Sequence, residues 1–177
     1  MNSPTDPAFS GIITVIDRLT GFGNILAALS LFLIFLIIAC EIFLRNLVGY
    51  SLSFSWDVAA YLMAASFLLA GASALKSGSH VRVTAVGDML SPQGARWLDM
   101  AACLLGLVTC IALTIALTDM AILSWQRGST SSSVVRIPLV WPQAVLSAGA
   151  IILNLQMFAQ FLRLLRGEML STGPGLE

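Results

Sequence analysis

Residues Ser53 to Val83 read SFSWDVAAYLMAASFLLAGASALKSGSHVRV, and the fold is decided here. Trp56 and Asp57 open the stretch, eighteen residues without a formal charge follow (Val58 to Leu75), and Lys76, His80 and Arg82 close it. About 20 mostly apolar residues carry a helix across the hydrocarbon core, so this run suffices when Asp57 and Lys76 lie at the two interfaces. Trp56 suits an interfacial anchor, because indole combines an apolar body with one donor that seeks water. Lys76 and Arg82 mark the side expected to face the cytoplasm.

Composition extends this reading to the whole chain. Of 177 residues, 58% are hydrophobic and 10% are charged. A soluble domain carries roughly 25% charged residues, so too little polar surface is present to clothe a water-soluble particle. The bilayer is the solvent, and lipid is the first partner. Formal net charge is zero, with no basic run interleaved with aromatics, which sets nucleic acid aside. Cys40, Cys103 and Cys110 all fall in apolar segments without a CxxC or a Cys/His cluster, so neither a disulfide framework nor a metal site is expected.

Three further spans appear outward from the second. Leu19 to Cys40 holds twenty-two uncharged residues between Arg18 and Glu41. The run is longer than the apolar core of about 7 to 15 residues in a secretory signal, so it is read as retained. A faint lipoprotein-like box, Ile37 to Cys40, lies far into the chain and is set aside. Before this span, Phe9, Ile12, Ile13, Ile16 and Leu19 recur at helical spacing opposite Asp17 and Arg18. That pattern predicts a short interfacial helix over 9–18, with a continuous extension of the first span as the competing reading. After it, Glu41 and Arg45 share a helix face. They form either a local pair or a contact to a partner. The connector 46–55 contains Gly49 and is short enough to make the first two spans an antiparallel hairpin.

A second interfacial helix is expected over 81–90, where Val83, Val86 and Leu90 share a face. Ser91 and Pro92 then signal a helix start. The third span, Met100 to Thr118, is uncharged for nineteen residues. Trp97 and Trp125 stand outside it, about 42 Å apart along a straight helix, which matches a bilayer with its headgroups, roughly 40 to 45 Å. Asp119 therefore lies within the last turns of a helix that runs to Trp125. An acid at that depth is a functional candidate, with snorkelling or pairing to a neighbour as the alternative. Gln126 to Arg136 is serine-rich and reads as the most flexible internal segment. Ile137 to Leu162 is the fourth span, twenty-six uncharged residues with Pro138 and Pro142 at its start and Arg163 and Arg166 at its end.

The resulting fold class is an all-α membrane protein of one domain, with spans near 19–44, 57–75, 97–125 and 138–162. Placing both termini in the cytoplasm puts six basic residues inside (Arg18, Lys76, Arg82, Arg96, Arg163, Arg166) and three outside (Arg45, Arg127, Arg136), which favours that orientation. No phosphate loop, nucleophile elbow, HExxH or dinucleotide fingerprint is present, and one histidine is too few for bis-histidine haem. The expectation is a protein without cofactor or catalytic residues. A self-sufficient transporter would show repeated halves or several buried charges. The polar features instead sit at edges and loops, as in a partner-binding subunit.

The order of Trp56, Tyr61, Gly71, Lys76, His80 and Arg82 resembles the small, Q-type membrane subunit of tripartite ATP-independent periplasmic (TRAP) transporters. EIFLRNLV (Glu41 to Val48) is similar to the family's end of the first span, with Arg45 as its arginine. RIPLVWPQ (Arg136 to Gln143) and Gly149 resemble the start of its fourth. Relatives often carry paired acids after the tryptophan and an aromatic after the arginine, whereas here Asp57 stands alone and Asn46 follows Arg45. The resemblance implies a non-catalytic subunit in a bacterial inner membrane, bound to a large permease subunit and serving a periplasmic substrate-binding protein in ion-driven uptake of small organic acids. It implies partner contacts at the outer loops, through Arg45, Trp56, Asp57, Arg127, Arg136 and Trp141, and at the cytoplasmic end, through His80 and Arg82. Glu41 and Asp119 remain the intramembrane polar candidates, and would be the polar centre of an independent four-helix channel or exporter, the alternative reading.

Overall fold

The computed structural model describes residues 9–78 and 92–166. It contains four α-helices in chain order: α1 Ser10–Leu47, α2 Ser55–Lys76, α3 Pro92–Arg127 and α4 Val140–Leu165. All four are long and apolar enough to cross a membrane, as the spacing of charges predicts. The segment expected as a helix over 81–90, with His80 and Arg82, lies outside the described residues, as do residues 1–8 and 167–177.

The N-terminal segment differs from the expected short helix. Ser10 to Leu47 is one unbroken helix of 38 residues, so residues 10–18 form its first turns. At 1.5 Å per residue α1 is about 57 Å long and exceeds a hydrocarbon core of about 30 Å. Nothing between Thr14 and Leu19 breaks the backbone ladder, and Asp17 continues the packed side of α1 that carries the buried Ile13, Ile16 and Thr20. Gly49, at φ 71°, turns the chain beyond α1, and the Tyr50 N–H still reaches the Leu44 carbonyl at 3.3 Å.

α4 is the hub. It packs against α1, α2 and α3, while α1 and α2 pack against each other; α3 touches α4 alone among the described helices. In lipid no hydrophobic force drives apolar helices together, so close approach depends on small residues and a few polar bonds. Gly149 on α4 approaches α2 so nearly that a Cβ there would sit 3.0 Å from the Leu68 Cβ. Gly23 on α1 meets Leu69 and Ile152, and Ala72, Ala150 and Ala159 are almost fully buried. Ile13, Ile16, Ala159 and Leu162 form a buried apolar cluster between α1 and α4. Hydroxyls join α3 to α4: Thr118 and Ser147 are 2.7 Å apart, and Thr114 donates to the Ala150 carbonyl at 3.3 Å.

Candidate functional site

The densest polar cluster joins three helices at one end of the bundle. Asp17 on α1 accepts from Arg163 of α4 at 2.7 Å and lies 3.4 Å from Lys76 at the end of α2. Its other oxygen receives Gln156 Nε2 at 3.4 Å, and the Gln156 carbonyl oxygen accepts from Thr20 at 2.8 Å. Gln156 and Thr20 have no exposed surface, so this chain of bonds runs from the rim into the seam between α1 and α4. One carboxylate shared by two cations, with each partner on a different turn or helix, ties α1, α2 and α4 into one unit. Gln160 adds a bond to the Leu75 carbonyl at 3.1 Å. In the sequence Lys76 stands out as a span end, an orientation marker and a residue of the family pattern, and Arg163 as a span end and an orientation marker, but not as partners of Asp17. The signal was available: helix directions alone put the start of α1 and the ends of α2 and α4 on one side.

At the opposite end, Glu41 is buried and holds the α1–α2 connector. It accepts from the Ser51 hydroxyl and from the Leu52 N–H, both at 2.6 Å, and Arg45 lies 3.4 Å away. The local pair and the connector bonds coexist on one carboxylate. Arg45 itself is largely exposed. Trp56, Trp125 and Trp141, exposed by 75%, 70% and 68%, ring this end of the bundle.

The serine-rich segment after α3 is held by several hydrogen bonds rather than open. Gly128, at φ 61°, closes the helix with paired bonds from Gly128 N–H to the Trp125 carbonyl and from Ser129 N–H to the Ser124 carbonyl. The chain then doubles back. Ser131 N–H meets the Ile137 carbonyl at 2.8 Å, Leu139 N–H meets the Ser129 carbonyl at 3.0 Å, and Ser131 Oγ accepts from Ile137 N–H at 3.0 Å. Serines that composition reads as flexible here supply the short-range bonds of a compact turn. Its tip exposes Val134, at 88%, beside Arg136, whose φ of 46° is unusual for a residue with a Cβ.

The remaining expected residues fall at separate places. Arg127, the last residue of α3, and Arg136, on this turn, are both exposed. Asp57 is partly buried at the start of α2, with Oδ2 enclosed and no hydrogen-bond partner among the described residues; Gln143 Oε1 on α4 is in the same condition. Asp119 is exposed on α3, and no ion pair or hydrogen bond holds its side chain among the described residues. No group of three His, Cys, Asp or Glu side chains among those residues is placed to hold a metal.

Four long apolar helices with their ion pairs gathered at the two ends define a multi-pass α-helical membrane protein. The family model for "Tripartite ATP-independent periplasmic transporters, DctQ component" matches residues 34–167, from within α1 through all of α4. The chain belongs to that family, the small permease component of TRAP transporters, as the order of Trp56, Tyr61, Gly71 and Lys76 leads one to expect. No curated protein matches it. Asp17 lies outside the matched residues, although its partners Lys76 and Arg163 lie within them.

Proposed function

We propose that this chain is a non-catalytic scaffold that braces a large permease subunit in a bacterial inner membrane, with both termini in the cytoplasm. The carrying observation is the placement of charge. Asp17 and Glu41 anchor the two end clusters about 36 Å apart along α1, a separation that spans a hydrocarbon core of about 30 Å with modest tilt. Between them the helix seams hold glycine, alanine, leucine, hydroxyls and amides but no fully buried charged residue among those described. Such an interior suits a body that stays rigid while a partner moves. The buried charges that mark an ion or proton pathway in many transporters are not found in these seams among the described residues. Glu41 is engaged by the connector, and Asp119 points out of the bundle, so neither supplies a central site.

Under this reading the membrane spans lie near 19–44, 57–75, 97–125 and 138–162 as one domain. The outer surface formed by the tryptophans, Arg45 and the turn bearing Arg127 and Arg136 helps dock a periplasmic binding protein, for ion-driven uptake of a small organic acid. Docking is tested by reversing both turn arginines, Arg127→Glu with Arg136→Glu, in cells carrying the large permease subunit and the binding protein. Uptake falls several-fold while the two membrane subunits still co-purify. Unchanged uptake removes the docking role.

A further inference from the structure

Resting on the scaffold reading above, we propose that the outer face of α3 is the seam that receives a membrane helix of the large permease subunit, and that Asp119 pairs there with a lysine or arginine of that helix. Two faces of α3 show the same rhythm. Cys103, Leu107, Cys110, Thr114, Leu117 and Ala121 recur at alternating steps of four and three, are buried or half-buried, and belong to the side that α4 covers. On the other side Leu105, Val108, Ala112, Ile115, Asp119 and Ile122 recur at alternating steps of three and four, and all are exposed. α3 touches no helix of this chain but α4, so nothing in the described residues covers this second seam.

Asp119 is the one charge in the seam between Leu105 and Ile122, and its depth is fixed from two helices. Along α3 it lies six residues, about 9 Å, inside Trp125. Its neighbour Thr118 bonds to Ser147, which lies six residues, again about 9 Å, inside Trp141 on α4. Both tryptophans are exposed and suit the interfacial layer. Asp119 thus sits near the inner edge of that layer, and its side chain, tilted toward the helix N-terminus as on any α-helix, leads away from the interface rather than toward it. A carboxylate facing acyl chains is strongly unfavourable, whereas one meeting a cation across a helix pair is satisfied and sets the register of that pair, as a lone polar residue does in a coiled seam. A second copy of this chain is the wrong occupant. A two-fold axis along the membrane normal would bring two Asp119 carboxylates together at the same depth.

The test uses the full chain co-expressed with the large permease subunit. A photo-crosslinking amino acid placed at Ile115 or Ile122 is expected to join the wild-type seam to the large subunit, whereas the same probe at Phe67, on the exposed stripe of α2, is not. Asp119→Leu and Asp119→Lys are expected to lower the recovered complex about tenfold or more, with lysine the more severe, while each variant chain alone still elutes as a single species. If wild-type chain co-purifies with the large subunit but the crosslinks at 115 and 122 reach only lipid or a second copy, the seam assignment is wrong and the scaffold reading survives. Full recovery of the complex with Asp119→Leu equally overturns the pairing. Failure of the wild-type chain to co-purify at all overturns both.

Discussion

At the scale of single residues, two carboxylates do opposite jobs with similar means. Asp17 joins helices distant in sequence, whereas Glu41 closes the connector next to its own helix. Removing Asp17 takes the carboxylate partner from Arg163, the less exposed of its two cations, and deletes the ionic link between α1 and the other two helices. Asp17→Ala should therefore destabilise the bundle by about 1–3 kcal/mol, seen as a lower midpoint of thermal unfolding in detergent, and Asp17→Asn by less because an amide oxygen still accepts. No loss with alanine would mean the cluster is incidental. Glu41→Ala should speed hydrogen exchange at the Leu52 amide, whose acceptor it removes, while Arg45→Ala leaves that amide protected. The Glu41–Arg45 pair was legible because four-residue spacing on a helix is local information. The Ser51 and Leu52 bonds and the Asp17 cluster were not, since each depends on how the chain folds back on itself.

At the scale of elements, the helices were visible in the sequence because the distances between charges measure the membrane directly. What charges do not measure is which helix lies in the middle. That position falls to α4, and the reason is steric: Gly149 faces the α2 backbone, Ala150 and Ala159 are almost fully buried, and glycines of the neighbouring helices receive Ile152, Leu153 and Met157. Two glycine substitutions separate this from ordinary crowding. Gly149→Leu must push α2 and α4 apart and should cost about 1–3 kcal/mol or more of stability, the usual range for overpacking. Gly106→Ala meets only the flexible end of Met157, whose terminal methyl would lie 2.7 Å from the new Cβ until it rotates away, and should be tolerated. Unfolding midpoints of the two variants in the same detergent decide the point, and equal effects would contradict a glycine-set α2–α4 contact. Length told less than continuity: the polar face at Asp17 and Arg18 reads as a separate helix, but the ladder of α1 runs through it. The serine-rich turn was likewise opaque, because composition does not reveal which hydroxyls find backbone partners.

At the scale of the whole molecule, three helices locked at one end by ion pairs carry a fourth, α3, along one side. Its outward face and the ringed tryptophans make the protein look incomplete alone, in keeping with a family whose members are components of a tripartite transporter. The central claim is that this chain is a brace for a larger permease. It is tested most directly by tagging the chain, expressing it with the large permease subunit in its native membrane, and weighing what elutes in mild detergent. A brace should elute in a complex with both subunits in one fixed ratio across the peak, stable enough to survive dilution. Elution of this chain alone, or as a homo-oligomer, from membranes that contain the large subunit would contradict it.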